Sequence, residues 1–207
     1  KAYQKQGGIS GISTGLIDLD KKLGGLHSSD LLIIAGRPSM GKTSLATNMA
    51  FSIANSFKTQ NNEDGSKTLL NGGIVGFFSL EMSSAQLATR ILSENSKVPS
   101  DKIRKGDLSE QDFRNFIEAA QSLDQCPLYI DDTAALSISA LAGRARRLKR
   151  MYGLDVLFVD YLQLIRPSTN RDSRVNEISE ITQGLKSIAK ELNIPVVALS
   201  QLSRQVE

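Results

Sequence analysis

The chain has 207 residues, the length of one domain or of one with an appendage, and 40% are hydrophobic against 23% charged, which excludes a disordered polypeptide. Lys and Arg (25) outnumber Asp and Glu (22) by a formal charge of only +3, too little to identify an anionic partner. Cys126 and His27 are the sole residues of their types, which rules out an intramolecular disulfide framework and a Cys/His zinc cluster. No apolar run approaches the roughly 18 residues of a membrane span, and the expectation is a soluble protein of a reducing cytoplasm.

In chain order, the first strand is predicted at residues 31–35, Leu-Leu-Ile-Ile-Ala. After a glycine-rich turn, Ser44 to Phe57 reads as a helix with Leu45, Met49 and Ile53 on one face. Residues 58–73 are polar and turn-rich and predict a mobile surface loop. A second strand follows at 74–79. Ser83-Ser84-Ala85-Gln86 and Ser109-Glu110-Gln111-Asp112 carry helix-opening signals, because a serine oxygen can accept from first-turn amides, and helices are expected near 84–96 and 109–122. A strand at 128–130 precedes a helix over 139–151, with Leu141, Leu148 and Met151 inward. That helix carries Arg144, Arg146, Arg147, Lys149 and Arg150, spread as a solvated face would be, although such a basic run also suits nucleic-acid phosphates. With 5% aromatics and no Trp, a grip on DNA through base stacking is disfavoured. Next come a strand at 156–159 and a polar loop at 166–173, placed beyond a strand end, where open α/β sheets bind ligands. Ile178, Ile181, Leu185, Ile188, Ala189 and Leu192 trace a helical stripe bounded by Pro195, and a last strand occupies 196–200. The strands are near-continuously apolar, as parallel strands covered on both faces are. The fold class is α/β, a mainly parallel sheet sandwiched by helices.

Gly36-Arg37-Pro38-Ser39-Met40-Gly41-Lys42-Thr43 is a complete match to the phosphate-binding loop G-x-x-x-x-G-K-[S/T], set between a predicted strand and helix. Its glycines let backbone amides face phosphate oxygens, and the helix opening at Ser44 adds partial positive charge. Lys42 would reach the β- and γ-phosphates of ATP and Thr43 would ligate Mg²⁺. Asp160, after four apolar residues, suits the water-mediated metal carboxylate, though it also reads as a strand-terminal turn residue. Tyr161 stands where many such ATPases carry a catalytic Glu, so that carboxylate must come from elsewhere. Glu81 ends the run Phe77-Phe78-Ser79-Leu80, at the same sheet edge as Gly36 and Asp160 in a parallel arrangement. There it could orient or deprotonate water, or favour the dipole of the following helix. Gln201 at the end of the last strand could hydrogen-bond the γ-phosphate or its attacking water, or simply be a polar residue after a strand.

Read together, the phosphate loop, Phe78-Ser79-Leu80-Glu81-Met82, Val159-Asp160-Tyr161-Leu162-Gln163-Leu164 and Pro195-Val196-Val197-Ala198-Leu199-Ser200-Gln201-Leu202 resemble, in order and spacing, the successive motifs of DnaB-type bacterial replicative helicases. The resemblance implies a RecA-like P-loop ATPase domain acting as a homo-hexamer on single-stranded DNA at replication forks in the bacterial cytoplasm. A primase and a helicase loader are the implied partners, and ATP with Mg²⁺ the implied ligands. It carries Lys42 and Thr43 over as phosphate and metal ligands, Glu81 as catalytic base, Asp160 as metal-site carboxylate and Gln201 as γ-phosphate sensor, on a strand between those bearing the loop and Asp160. It also carries Arg90 over as an arginine near the nucleotide. Residues 1–11 would then be the end of an interdomain linker and 12–207 an ATPase domain truncated at its C-terminal end. The DNA-contacting loop and the basic finger serving the neighbour's site would follow Glu207, so residues 1–207 alone are expected to turn over ATP slowly and not to unwind DNA. The alternatives are a filament-forming RecA-like recombinase and a non-enzymatic ATP-gated oligomerisation module.

Overall fold

A computed structural model describes residues 9–62, 65, 67–167 and 174–202. Five strands, β1 (Leu31–Gly36), β4 (Val75–Ser79), β5 (Leu128–Asp131), β6 (Val156–Asp160) and β7 (Val196–Gln201), form one sheet in the order β1-β7-β6-β4-β5. Every pairing in it is parallel. All five predicted strands are therefore present, and β7 lies between β1 and β6.

Strand alternation explains the unbroken apolar runs. Phe77, Phe158, Val197 and Leu199 point into a core filled by Ala46, Met49, Ala50 and Ile53 of α2 (Lys42–Asn55) and Leu87 of α3 (Ser84–Ser96). Their neighbours Phe78, Leu157, Val159, Val196 and Ala198 point into a second core, with Leu141 and Ala145 of α6 (Ile138–Tyr152) and Ile181, Leu185 and Ile188 of α7 (Arg174–Leu192). Successive side chains face opposite sides, so a strand covered on both must be apolar at every position. Phe77 and Phe158 stack across adjacent strands at 5.8 Å.

The capping signals act as expected. Ser83 with Gln86 and Ser109 with Asp112 form reciprocal capping boxes at α3 and at α5 (Glu110–Gln125). Several expectations are corrected. Residues 58–73 contain an antiparallel hairpin, β2 (Lys58–Asn61) against β3 (Lys67–Asn71). The sequence hid it because β2 is exposed at every residue and so lacks apolar alternation. Two short helices, α1 (Ile17–Leu23) and α4 (Ser100–Lys105), were not expected; each stops at a left-handed glycine, Gly24 and Gly106. Met151 is 53% exposed rather than inward, lying at the sheet margin beside β5, and Leu45 is also exposed. Within the basic segment, Arg144 donates to Asp131 and Thr133, Arg146 to Glu191, and Lys149 to the Leu154 carbonyl. Those commitments match a solvated face rather than a phosphate track. Of the loop at 166–173, Arg166 bridges to Ser137, and 168–173 lie outside the described residues. So does most of the predicted linker, while Gly11 already donates to the Gly24 carbonyl at 2.9 Å.

Candidate active site

The C-terminal ends of β1, β7, β6 and β4 open on one side of the sheet, and each delivers a polar residue there. Paired residues fix the spacing: Gly36 lies against Gln201 and Ser79 against Asp160. A cleft of about 420 Å³ at this edge is lined by Pro38, Ser39, Gly41, Lys42, Thr43, Ser44, Glu81, Met82, Arg90, Asp160, Tyr161 and Gln201. Chain segments far apart in sequence thus bring both carboxylates, both cations and the glutamine singled out from sequence into one cavity.

The loop between β1 and α2 turns on Gly41, whose φ of 82° lies in the left-handed region. A Cβ there would meet nothing within 4 Å, so backbone conformation and not crowding favours glycine. α2 begins at Lys42, two residues earlier than expected, and has no side-chain N-cap and no acidic residue in its first turn. Its first amides and the positive end of its dipole are therefore available to an anion. Lys42 Nζ donates to the Arg37 carbonyl at 2.8 Å across the loop. Gly36, Arg37 and Met40 do not line the cleft and shape the loop instead. The Gly36 carbonyl accepts from Leu202 at 3.1 Å, that of Arg37 from Met40 at 3.4 Å, and the Met40 side chain is exposed.

Asp160 is 1% exposed, and its Oδ2 is buried without a hydrogen-bond partner. Burial raises its pKa; nearby Glu81 pushes the same way, while the Thr43 hydroxyl, Lys42 and Arg90 oppose. A buried anionic oxygen with no donor, next to a threonine hydroxyl, fits a hard divalent cation. Among the described residues no three His, Cys, Asp or Glu side chains converge on a metal site, so Thr43 and Asp160 would share a cation with phosphate oxygens. The peptide bond from Asp160 to Tyr161 is cis.

Glu81 sits in a tight turn that the sequence did not reveal. Ser79 Oγ donates to the Met82 carbonyl at 2.6 Å and accepts from the Met82 amide at 3.3 Å, spanning Glu81. The Leu80 amide donates to the Asp160 carbonyl at 2.8 Å, tying this turn to β6. Arg90 comes from α3, where Leu87 and Ile91 are buried in the core; the Ser84 amide at its start donates to Asp132 at 2.8 Å. Met82 and Tyr161 also line the cleft and were missed as site residues, although each adjoins a carboxylate that the sequence singled out.

Residues 11–207 match the DnaB-like helicase C-terminal domain family. The chain is 56% identical over 207 residues to the replicative DNA helicase DnaB of Rickettsia typhi, covering 100% of this chain and 41% of that protein. To the replicative DNA helicase DnaC of Bacillus subtilis it is 42% identical over 206 residues, 99% of this chain and 42% of that one. A solved DnaB-like replicative helicase, studied with its interactions with primase, superposes with TM-score 0.85 at 32% identity over 99% of this chain and 46% of its own. A solved ATPase domain does so with TM-score 0.86 at 32% identity over 99% and 68%. The chain therefore spans 41% of the length of its Rickettsia typhi relative. With a RecA-like sheet, a phosphate loop at its edge and a match that leaves out only the first ten residues, this chain belongs to the DnaB-like helicase C-terminal domain family.

Proposed function

We propose that this domain binds and hydrolyses ATP as the motor of a bacterial replicative DNA helicase, driving movement along single-stranded DNA and fork unwinding. The observation that carries the reading is the convergence of Lys42, Thr43, Glu81, Asp160, Arg90 and Gln201 on one cleft at the sheet's C-terminal edge. The phosphate chain of ATP lies along the amides from Ser39 to Ser44, with the Lys42 ammonium on the β- and γ-oxygens. Held between Thr43 and Asp160, Mg²⁺ would supply Lewis-acid polarisation of the phosphate oxygens. Glu81 orients the attacking water and accepts its proton. Arg90 offsets charge developing on the γ-phosphate. Gln201 hydrogen-bonds that phosphate or the water and passes its loss to the chain beyond β7. Family membership supports a helicase over a filament-forming recombinase, and the paired carboxylates support turnover over a passive nucleotide-gated module. In the whole protein this domain works as one of six copies in a cytoplasmic ring, with a primase and a loader as partners. The test is ATP hydrolysis and fork unwinding by the full-length protein with and without Lys42→Ala. Loss of both is expected, and unwinding that survives the substitution would overturn the reading.

A further inference from the structure

We propose that Gln163 is a positioning residue that holds the backbone of Gln201 in fixed relation to Asp160, so that sensor and metal carboxylate move as one unit. The inference rests on the ATPase reading of the cleft. The sheet has a gap between β6 and β7. The β6–β7 ladder runs from Leu157 opposite Val196 to Val159 opposite Ala198 and stops there. On its other side β7 continues against β1 as far as Gly36 opposite Gln201. At Ser200 and Gln201 the side of β7 facing β6 thus has no strand neighbour, because β6 has given way to Tyr161 and a short 3₁₀ turn, Leu162–Leu164.

The Gln163 side chain occupies that gap. Its Nε2 donates to the Gln201 carbonyl at 2.9 Å and to Ser200 Oγ at 2.9 Å. Its Oε1 accepts from the Gln201 amide at 3.2 Å. One side-chain amide therefore meets both polar groups of the Gln201 backbone, presenting the donor and acceptor that a neighbouring strand would supply. A carboxylate of the same shape offers acceptors only and would face the Gln201 carbonyl with a second acceptor.

The turn carrying Gln163 is itself fixed. Leu162 is buried in the core between α6, α7 and the sheet, and the Leu164 amide donates to the Tyr161 carbonyl at 3.0 Å. Gln201 is thereby clamped from two directions, by the root of the phosphate loop and by the turn that leaves Asp160. Gln163 does not line the cleft, so its influence runs through Gln201, whose side chain does.

The test is a double-mutant cycle on steady-state ATP hydrolysis by the full-length protein, using Gln163→Met, Gln201→Ala and the pair. Loss of these modest hydrogen bonds is expected to lower kcat about threefold to tenfold in Gln163→Met, with KM unchanged within about twofold. Gln163→Glu should be impaired more than Gln163→Met. In the Gln201→Ala background, Gln163→Met should change kcat by less than about twofold, because the residue it positions is gone. Effects that multiply in the double variant, or a Gln163→Met enzyme with unaltered kcat, would overturn the inference. Rates are expressed per nucleotide-binding site, titrated with a non-hydrolysable ATP analogue, so partial misfolding of one variant does not mimic the expected loss. If hydrolysis by the parent protein does not depend on Lys42, the ATPase reading fails; if it does and the two glutamines act independently, only this inference fails.

Discussion

Asp20 and Asp160 are both buried, 4% and 1% exposed, yet the fold treats their carboxylates in opposite ways. Asp20, in α1, accepts from Ser13 Oγ at 2.7 Å, from the Thr14 amide at 2.9 Å and from Thr14 Oγ1 at 2.7 Å. Burial raises its pKa, but the Thr14 amide and the two hydroxyls outweigh burial and leave it below the ordinary value of 3.8. Asp160 keeps one oxygen without a donor and is shifted upward, mainly by burial. The difference separates structure from chemistry: a buried carboxylate met by donors holds the chain together, and one left unmet is available to a ligand.

Substitutions at the two aspartates should separate the roles. The largest effect is expected at the cleft, where Asp160→Asn should lower ATP turnover about 100-fold or more, as loss of an electrostatic group at a reaction centre does. Thermal unfolding of the same variant should not move downward, because an isosteric amide removes a buried charge whose Oδ2 has no donor and whose burial outweighs the help of Thr43, Lys42 and Arg90. A fall in melting temperature comparable to that of an Asp20 variant would break the distinction. Asp20→Ala should reverse the pattern, destabilising the domain by about 2–3 kcal/mol through three lost hydrogen bonds. Its ATPase rate below the melting transition should be near that of the parent, and chemical denaturation with a parallel rate assay reads both.

The pH dependence sharpens the Asp20 arm. A folded pKa below the unfolded value means that the carboxylate contributes stability above about pH 4 and loses it as pH falls through the folded pKa. The stability gap between parent and Asp20→Ala should accordingly be constant near neutrality and narrow below about pH 4; a gap that widens on acidification would contradict the assignment. The smallest effect is expected at the hairpin, which touches neither aspartate. Leu70 is 58% exposed, and Leu70→Ser should change stability by less than about 0.5 kcal/mol in the same denaturation assay.

The Asp160 side of this comparison was readable in the sequence, the Asp20 side was not, and the limits have physical causes. The five sheet strands announce themselves as short apolar runs; where both faces are buried, as in Val156 to Val159, every position must be apolar, while the edge strands β1 and β5 are only partly covered. The cleft residues follow from local rules: Lys42 and Thr43 belong to a contiguous motif, and Glu81, Asp160 and Gln201 each stand at or just beyond the end of an apolar run. What the sequence could not disclose depends on contacts between distant segments. Asp20 and Asp160 both stand beside apolar residues, and only the folded chain reveals which one meets donors. The role of Gln163 depends on β7 lying beside β6 and on the ladder ending short of Gln201. The hairpin β2–β3 pairs a wholly polar β2 with a β3 whose apolar residues, Leu69 and Leu70, are adjacent rather than alternating, which leaves no hydrophobic period to read. Met151 fits the inward stripe of α6 by spacing, yet the sheet ends before it can be covered.

The central claim is that the cleft hydrolyses ATP with Glu81 as the group that activates water. Its most direct test is single-turnover hydrolysis of bound ATP by the full-length protein carrying Glu81→Gln, with nucleotide binding measured on the same sample. Binding within about threefold of the parent is expected, with hydrolysis slowed about 100-fold or more. Turnover at the parental rate with binding intact would contradict it.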